Sequence, residues 1–524
     1  MSSAKFWLVR FPGTQDFHED DNMTNRLNVR CSTGRHPCEL ETMRPGRRNA
    51  LSSTRVIAAL AAAILIPVMS PAARAEGSEL TVESYALPIG EKIPTLEELQ
   101  NPEVTAKLAR DSKVTESPAV PQEMLDSATA GLPRATEPSA RPPATANTFE
   151  GIATAGSLYP DPPRKMSRTE CKDELDGHLF YAKSRFAMCG GIQMVQTWFE
   201  RRRPVGQTAF TAWVIGTIPN PKDRSVQFDY YYSNFHDSGR NLSEGLRVDT
   251  TLKMDVLDAP RARKTQSGSP PPSRTFDRLK RENRTYMHDV AFDAGQGVGP
   301  DDLITMAYQP TVKVTFPLAW PGVPKPTDSK RITFAGMHWD AAGYLPNSDV
   351  ADTKKRGGAA FAYIAELPYS MKAGAPERAV AQHLNQARKK PSETYPKLST
   401  KDVPGFDADH KLHRLFHDAA RKRKNRAEAK KVCVEVWGAD YATNDPAGPR
   451  ECDEYPFAST YEGAAQPATE PGARKNNWSA KALAKSDNGK AGTILGEFYD
   501  KNRIIDGRNA RGKEVGGYIV RITN

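Results

Sequence analysis

Between residues 151 and 370 the apolar positions fall in short β-branched and aromatic runs with partial two-residue alternation. Residues 225–235 (SVQFDYYYSNF), 246–257, 311–320 and 331–337 are the clearest, and Gly, Pro, Asn and Asp clusters separate them. That period is the mark of antiparallel strands. Residues 151–370 therefore predict a β-rich, antiparallel, sandwich-like domain, with 261–274 (RARKTQSGSPPPSR) as a disordered surface loop inside it. Beyond 370 the period lengthens. Residues 371–404 predict a helix over 376–390, ended by Pro391, and then a linker. Residues 405–524 predict a small α+β module. It contains an amphipathic helix over 407–431, a strand over 432–437, a turn at 452–458, a helix near 489–499 and a last strand over 518–523.

The first 150 residues follow neither period. Arg44, Arg47, Arg48 and Arg55 lead into the apolar run VIAALAAAILIPV, and Ala73-Arg74-Ala75 ends it as a small-x-small step. A basic region, a short apolar core and an A-x-A end describe a secretory signal peptide over 43–75, cleaved near Ala75. Residues 1–42 then read as an over-extended N-terminus that starts upstream of Met43. The apolar run is short for a bilayer span and no other segment approaches it, so no membrane anchor is expected. Residues 76–150 are rich in Pro, Ala, Thr and Glu, and this composition predicts a disordered linker.

The length of 524 residues exceeds one compact core at roughly 150 residues per domain, in agreement with this division. Lys+Arg 73 against Asp+Glu 63 gives +10, a basic excess that suits a polyanionic partner. Six cysteines are present, and Cys31 and Cys38 precede the signal peptide. Cys171, Cys189, Cys433 and Cys452 form two close pairs far apart in sequence. Of the three possible connectivities, 171–189 with 433–452 is the economical one, and it fits an exported chain. The C-x2–4-C spacing of a four-cysteine metal site is absent.

The chemistry lies near the C-terminus. Cys452-Asp453-Glu454-Tyr455-Pro456-Phe457-Ala458 is followed by Tyr461-Glu462-Gly463-Ala464, and then by Ser486-Asp487-Asn488-Gly489-Lys490-Ala491-Gly492. These three ordered blocks resemble the NucA/NucB family of secreted bacterial deoxyribonucleases, over about 100 residues. The resemblance implies a ββα, His-Me-finger-like site that hydrolyses DNA with a divalent metal, Mg2+ or Mn2+. It places Asp453 where related nucleases carry a histidine base, and Asn488 beside the metal. Asn488 with Glu462 or Glu454 would position the metal, Asp453 is itself a further metal candidate, and Glu497 is a weaker one. From the residues alone, Asp453 and Glu454 are adjacent and point to opposite faces of an extended segment, so one of them enters the site directly. The other orients it or reaches the metal through water. No histidine follows His417, so the base in this module is a carboxylate or a metal-activated water. Asp487-Asn488 reads as a helix N-cap.

Arg421, Lys422, Arg423 and Lys424 open a basic run, and Lys490 adds a fifth cation near Asn488. They are either a solvated helix surface or contacts to a DNA backbone, which carry no base information. His410, His413 and His417 share one face of the expected helix, as a packing stripe or a metal cluster. The function expected is a secreted, metal-dependent endonuclease acting on extracellular DNA with little sequence specificity. A binding or adhesion protein with an inactive nuclease-like tail remains open. So does a nuclease toxin with a dedicated immunity or inhibitor protein.

Overall fold

The computed structural model describes residues 80–114, 140–141, 156–297, 299, 301–316 and 327–524. The expected signal peptide, the residues before it, Cys31 and Cys38 lie outside these. Strands β1 (Leu80–Leu87), β2 (Ala140–Arg141), β3 (Phe180–Ser184), β4 (Ala187–Glu200), β5 (Arg203–Thr217), β6 (Ser225–Gly239), β8 (Lys264–Gly268) and β10 (Tyr286–Phe292) make one sheet. Its order is β2-β3-β4-β5-β6-β10-β8, with β1 also on β4. A second sheet holds β7 (Arg247–Val256), β9 (Arg274–Thr275), β11 (Ile304–Thr315), β12 (Thr327–Arg331), β13 (Met337–Asp340) and β14 (Gly358–Phe361). Neighbouring strands run antiparallel except at β2 and β3. Trp198, Phe210, Phe228 and Tyr230 from the first sheet share one core with Met306, Tyr308, Trp339 and Phe361 from the second, as in a sandwich.

The alternation is only partial because the outer face of the first sheet is also covered. Helix α1 (Pro102–Val114) brings Leu108 against Tyr85, Leu87 and Val195. Helix α2 (Arg168–Leu175) packs Leu175 on Tyr181, Trp213 and Ile215, pinned by the disulfide Cys171–Cys189. Helix α3 (Phe276–Glu282) inserts Phe276 and Leu279 into the main core. Two expectations change here. Residues 80–114 are a strand and a helix and not a disordered linker. Leu80, Tyr85, Leu87, Leu99 and Leu108 supply buried apolar surface that an average over 76–150 dilutes. Within 261–274, β8 is an edge strand on β10, exposed at every position. Its backbone bonds to β10 rather than a buried face hold it.

The C-terminal part begins earlier than expected. Strand β15 (Ala365–Ser370) pairs in parallel with β18 (Tyr518–Thr523), and helix α4 (Arg378–Lys389) packs beside them. Helix α5 (Ala419–Trp437), strand β16 (Arg450–Tyr455), the short helix α6 (Gln466–Thr469), strand β17 (Ser479–Ala484) and helix α7 (Lys485–Lys501) follow. β16 pairs only with β17, antiparallel, among the described residues. Leu367, Tyr369, Val380, Leu384, Tyr455, Phe457, Phe498 and Tyr518 form one core.

The strand expected at 432–437 is the end of α5. Ala429 and Cys433 face Trp478 and Ala480, and Cys433 is tied to Cys452, so packing overrides the β-branched run. The helix expected from 407 starts only at Ala419, where the Asp418 side chain accepts from the Arg421 N–H. Residues ahead of it are irregular, with isolated bridges from Leu412 to Tyr518 and from Arg414 to Thr460. His410, His413 and His417 therefore share no helical face. His410 pairs with Asp407, His413 with Glu462, and His417 with Asp301.

Candidate active site

Strand β16 borders a cleft of about 760 Å3. Its walls are residues 449–454, the turn at Phe457–Ser459, Arg426 and Lys430 of α5, and Lys485, Asn488 and Gly492 of α7. Consecutive residues from Arg450 to Glu454 line it, so positions from both faces of the strand reach it. Asp453 and Glu454 line it together, where the sequence had admitted only one directly. The disulfide Cys433–Cys452 clamps the acidic strand to the basic helix. A loop of that size is worth about 3 kcal/mol by loop-closure entropy.

Glu451, two residues before Asp453, joins them. The Asn488 side-chain N–H donates to Glu451 at 3.1 Å. A carboxylate only accepts, so the asparagine presents its nitrogen to Glu451 and keeps its carbonyl oxygen free. Asn488 lies inside α7, three residues past its start, and the N-cap position is Ala484. The expected Asp487-Asn488 cap is thus the first turn of the helix.

Glu454 sits at the cleft floor, crowded by protein although part of its surface still meets solvent. Burial, and then the charge of Asp453, push its carboxyl up to about 8. Glu451 adds to the rise, and Arg426 opposes it. This crowding of carboxylates calls for positive charge, and the donors present are carboxylate and amide oxygens, which suit a hard divalent cation. Among the described residues no group of three or more His, Cys, Asp or Glu side chains forms a metal cage. A cation here would take one or two carboxylates and complete its shell with water and substrate oxygens, as Mg2+ does.

Two predicted site residues lie elsewhere. Glu462 accepts from the His413 backbone N–H at 2.9 Å and meets His413 Nδ1 at 2.8 Å, so it braces the segment leading to α5. Glu497 accepts from the N–H groups of Leu158 and Tyr159, at 3.0 and 2.7 Å, and from the Ser157 hydroxyl. Neither lines the cleft.

The predicted DNA contacts also divide. Arg421 is buried, ion-paired to Glu470 at 2.7 Å, and belongs with Asn425, Ala429 and Cys433 to the inward row of α5. Lys422 lies over the Phe416 ring. Arg423, Lys424 and Lys490 are exposed but outside the cleft lining, whereas Arg426 and Lys430 are exposed and form its wall.

Asn425 donates to the carbonyls of Ala458 and Thr460 and accepts from the Ala465 N–H, which holds the turn after β16. A side chain at position 463 would collide with Asn425, so glycine is required there. The first and third blocks of the sequence thus line one cleft, and the second supports its turn through Asn425.

Residues 406–510 match the family model Deoxyribonuclease NucA/NucB.

The NucA/NucB match contains β16, β17, α7 and every acidic residue of the cleft. It excludes β15, α4 and β18, which complete the core beneath them. No curated protein matches the chain, and no solved structure matches it.

Residues from outside the match also reach the site: Tyr369 of β15 and Val380 of α4 line the cleft, and His383 adjoins Asp453. His383 of α4 is 1 % exposed, with Nδ1 at 2.6 Å from Asp453 Oδ2 and Nε2 at 2.7 Å from Ser479 Oγ. Nothing in the sequence joins residues 383 and 453. Glu451, by contrast, could have been found from the two-residue strand period.

Proposed function

We propose that the C-terminal part of the chain hydrolyses DNA phosphodiester bonds endonucleolytically, with a divalent cation, Mg2+ or Mn2+, and acts outside the cell. The observation that carries this reading is the convergence of Glu451, Asp453, Glu454 and Asn488 in a cleft walled by Arg426, Lys430 and Lys485, inside the NucA/NucB match. The site takes a ββα, His-Me-finger-like form, with β16 and β17 as the strands and α7 as the helix. Glu451 or Glu454, with the Asn488 carbonyl, would hold the cation, which supplies charge neutralisation at the non-bridging phosphate oxygens.

Asp453 is the base. One of its oxygens is held by His383, and the other is left to take a proton from the attacking water. Arg426 and Lys430 hold backbone phosphates, and the first turn of α7 adds a positive helix end. Such contacts read charge and not bases, hence little sequence specificity. Two disulfides among the described residues support export, as does the basic-apolar-small pattern at 43–75.

The test is nicking of supercoiled plasmid by the chain without residues 1–75, with Mg2+, with Mn2+ and with EDTA. Metal-dependent nicking that falls about 100-fold or more in Asp453→Ala is expected. Full activity of that variant, or equal cutting in EDTA, would sink the assignment. DNA binding without cleavage would favour the binding-protein reading instead.

A further inference from the structure

We propose that His383 is the positioning residue for Asp453, supplied to the cleft by a helix outside the family-matched stretch. The proposal rests on the nuclease reading above and adds a residue to it. His383 is fixed at three points. Val380, Ala381 and Leu384 on the same helix are buried in the core with Tyr369 and Tyr455, so the backbone beneath the ring cannot shift independently of the cleft floor. Nδ1 meets Asp453 on β16, and Nε2 meets Ser479 on β17. Asp453 and Ser479 lie on paired strands, where Ser479 stands opposite Tyr455, so one imidazole ring spans both strands of the hairpin.

The chemistry of the donors sets the direction. An ionised carboxylate only accepts, so the hydrogen between His383 and Asp453 sits on Nδ1. With both ring nitrogens engaged inside the protein and the ring out of solvent, His383 cannot itself touch the attacking water or the substrate. It is therefore not the base. Its effect falls on Asp453, whose side chain is nearly out of solvent and has no other hydrogen bond from the described residues. An unpaired buried carboxylate is costly and free to rotate about χ2. One oxygen held at 2.6 Å fixes the rotation of the carboxylate in a residue that lines the cleft, the pre-set geometry a general base needs before substrate arrives.

Three substitutions separate positioning from bulk packing. Asn places an amide N–H close to the place of Nδ1 and can still hold Asp453. Gln reaches toward Ser479 but not Asp453, and Leu reaches neither. Steady-state nicking kinetics of the whole chain without residues 1–75 are measured with metal, at a temperature where circular dichroism shows every variant folded.

His383→Leu and His383→Gln are expected to lose about 10- to 100-fold in kcat with KM little changed, and His383→Asn to recover most of that loss. If His383→Leu does not fold, the comparison of Asn with Gln decides alone. Equal losses in Asn and Gln, losses that track Tm, or a change confined to KM would overturn the positioning role and leave the nuclease reading standing. A wild-type chain that cuts no nucleic acid with any divalent metal overturns the nuclease reading and this proposal with it.

Discussion

At the scale of single residues, the cleft concentrates three carboxylates on six residues of one strand, and the cost falls on Glu454. Its folded-state pKa of about 8 lies above the usual 4.5 because burial and Asp453 disfavour its charge. The folded protein thus keeps a proton there that the unfolded chain releases. By linkage, this group's contribution to stability is greatest below the ordinary carboxylate range and is lost as pH rises toward about 8. In EDTA, the urea midpoint is expected to fall between about pH 5 and pH 8. Glu454→Gln should flatten that slope, and Mg2+ or Mn2+ should raise the wild-type midpoint at the upper end. Identical slopes in wild type and variant would show that Glu454 is not the strained group. Asp453 and Glu454 were legible in the sequence because their block has fixed order and spacing. Glu462 was drawn in by its position in the second block, and Glu497 by its place on the helix that the third opens. Their true partners, His413 and the backbone at 157–159, are remote in sequence and leave no local trace.

At the scale of elements, the stretch that matches the family does not contain the whole core on which its cleft rests. Tyr369 on β15 donates its hydroxyl to the Ala491 carbonyl at 2.6 Å, Val380 and Leu384 of α4 are buried with it, and β18 pairs with β15. A fragment covering 400–524 strips β15 and α4 from this core. Each large buried side chain lost costs about 2–5 kcal/mol, against a domain stability of about 5–15 kcal/mol. Such a fragment is expected to lack near-ultraviolet circular dichroism and nicking activity, whereas one beginning near residue 362 gains both. A 400–524 fragment that unfolds cooperatively and cuts DNA would refute this. Helices at 376–390 and near 489–499 were legible because their apolar period is long and bounded. The strand expected at 432–437 failed because three valines express a β preference that the disulfide and the Trp478 contact outweigh.

At the scale of the molecule, residues 74–524 form one unit, and the β-rich part is joined to the cleft-bearing part by buried charge. Asp340 at the end of β13 is fully buried against Arg503, with Nε to Oδ2 at 2.8 Å. Burial alone would raise the Asp340 carboxyl, but Arg503 outweighs it and holds it below the usual range. Arg185 adds a bond to the Asn502 carbonyl at 2.7 Å, and Tyr344 stacks on Phe416 at 3.5 Å. Removing one partner leaves an uncompensated buried charge, so Asp340→Ala should cost about 3–5 kcal/mol, read as a shift in the denaturation midpoint. A midpoint unchanged within error would mean that the two parts are held by other contacts.

The sequence by itself determined the sandwich class, the two cysteine pairs and the acidic block of the cleft. Strand period, close cysteine spacing and a contiguous motif are all local signals. Only the tertiary structure decided that residues 80–114 fold, that α5 continues through its valines, and that His383 reaches Asp453. Each of those depends on surfaces brought together from distant parts of the chain, and a contact across 70 residues leaves no periodicity to read.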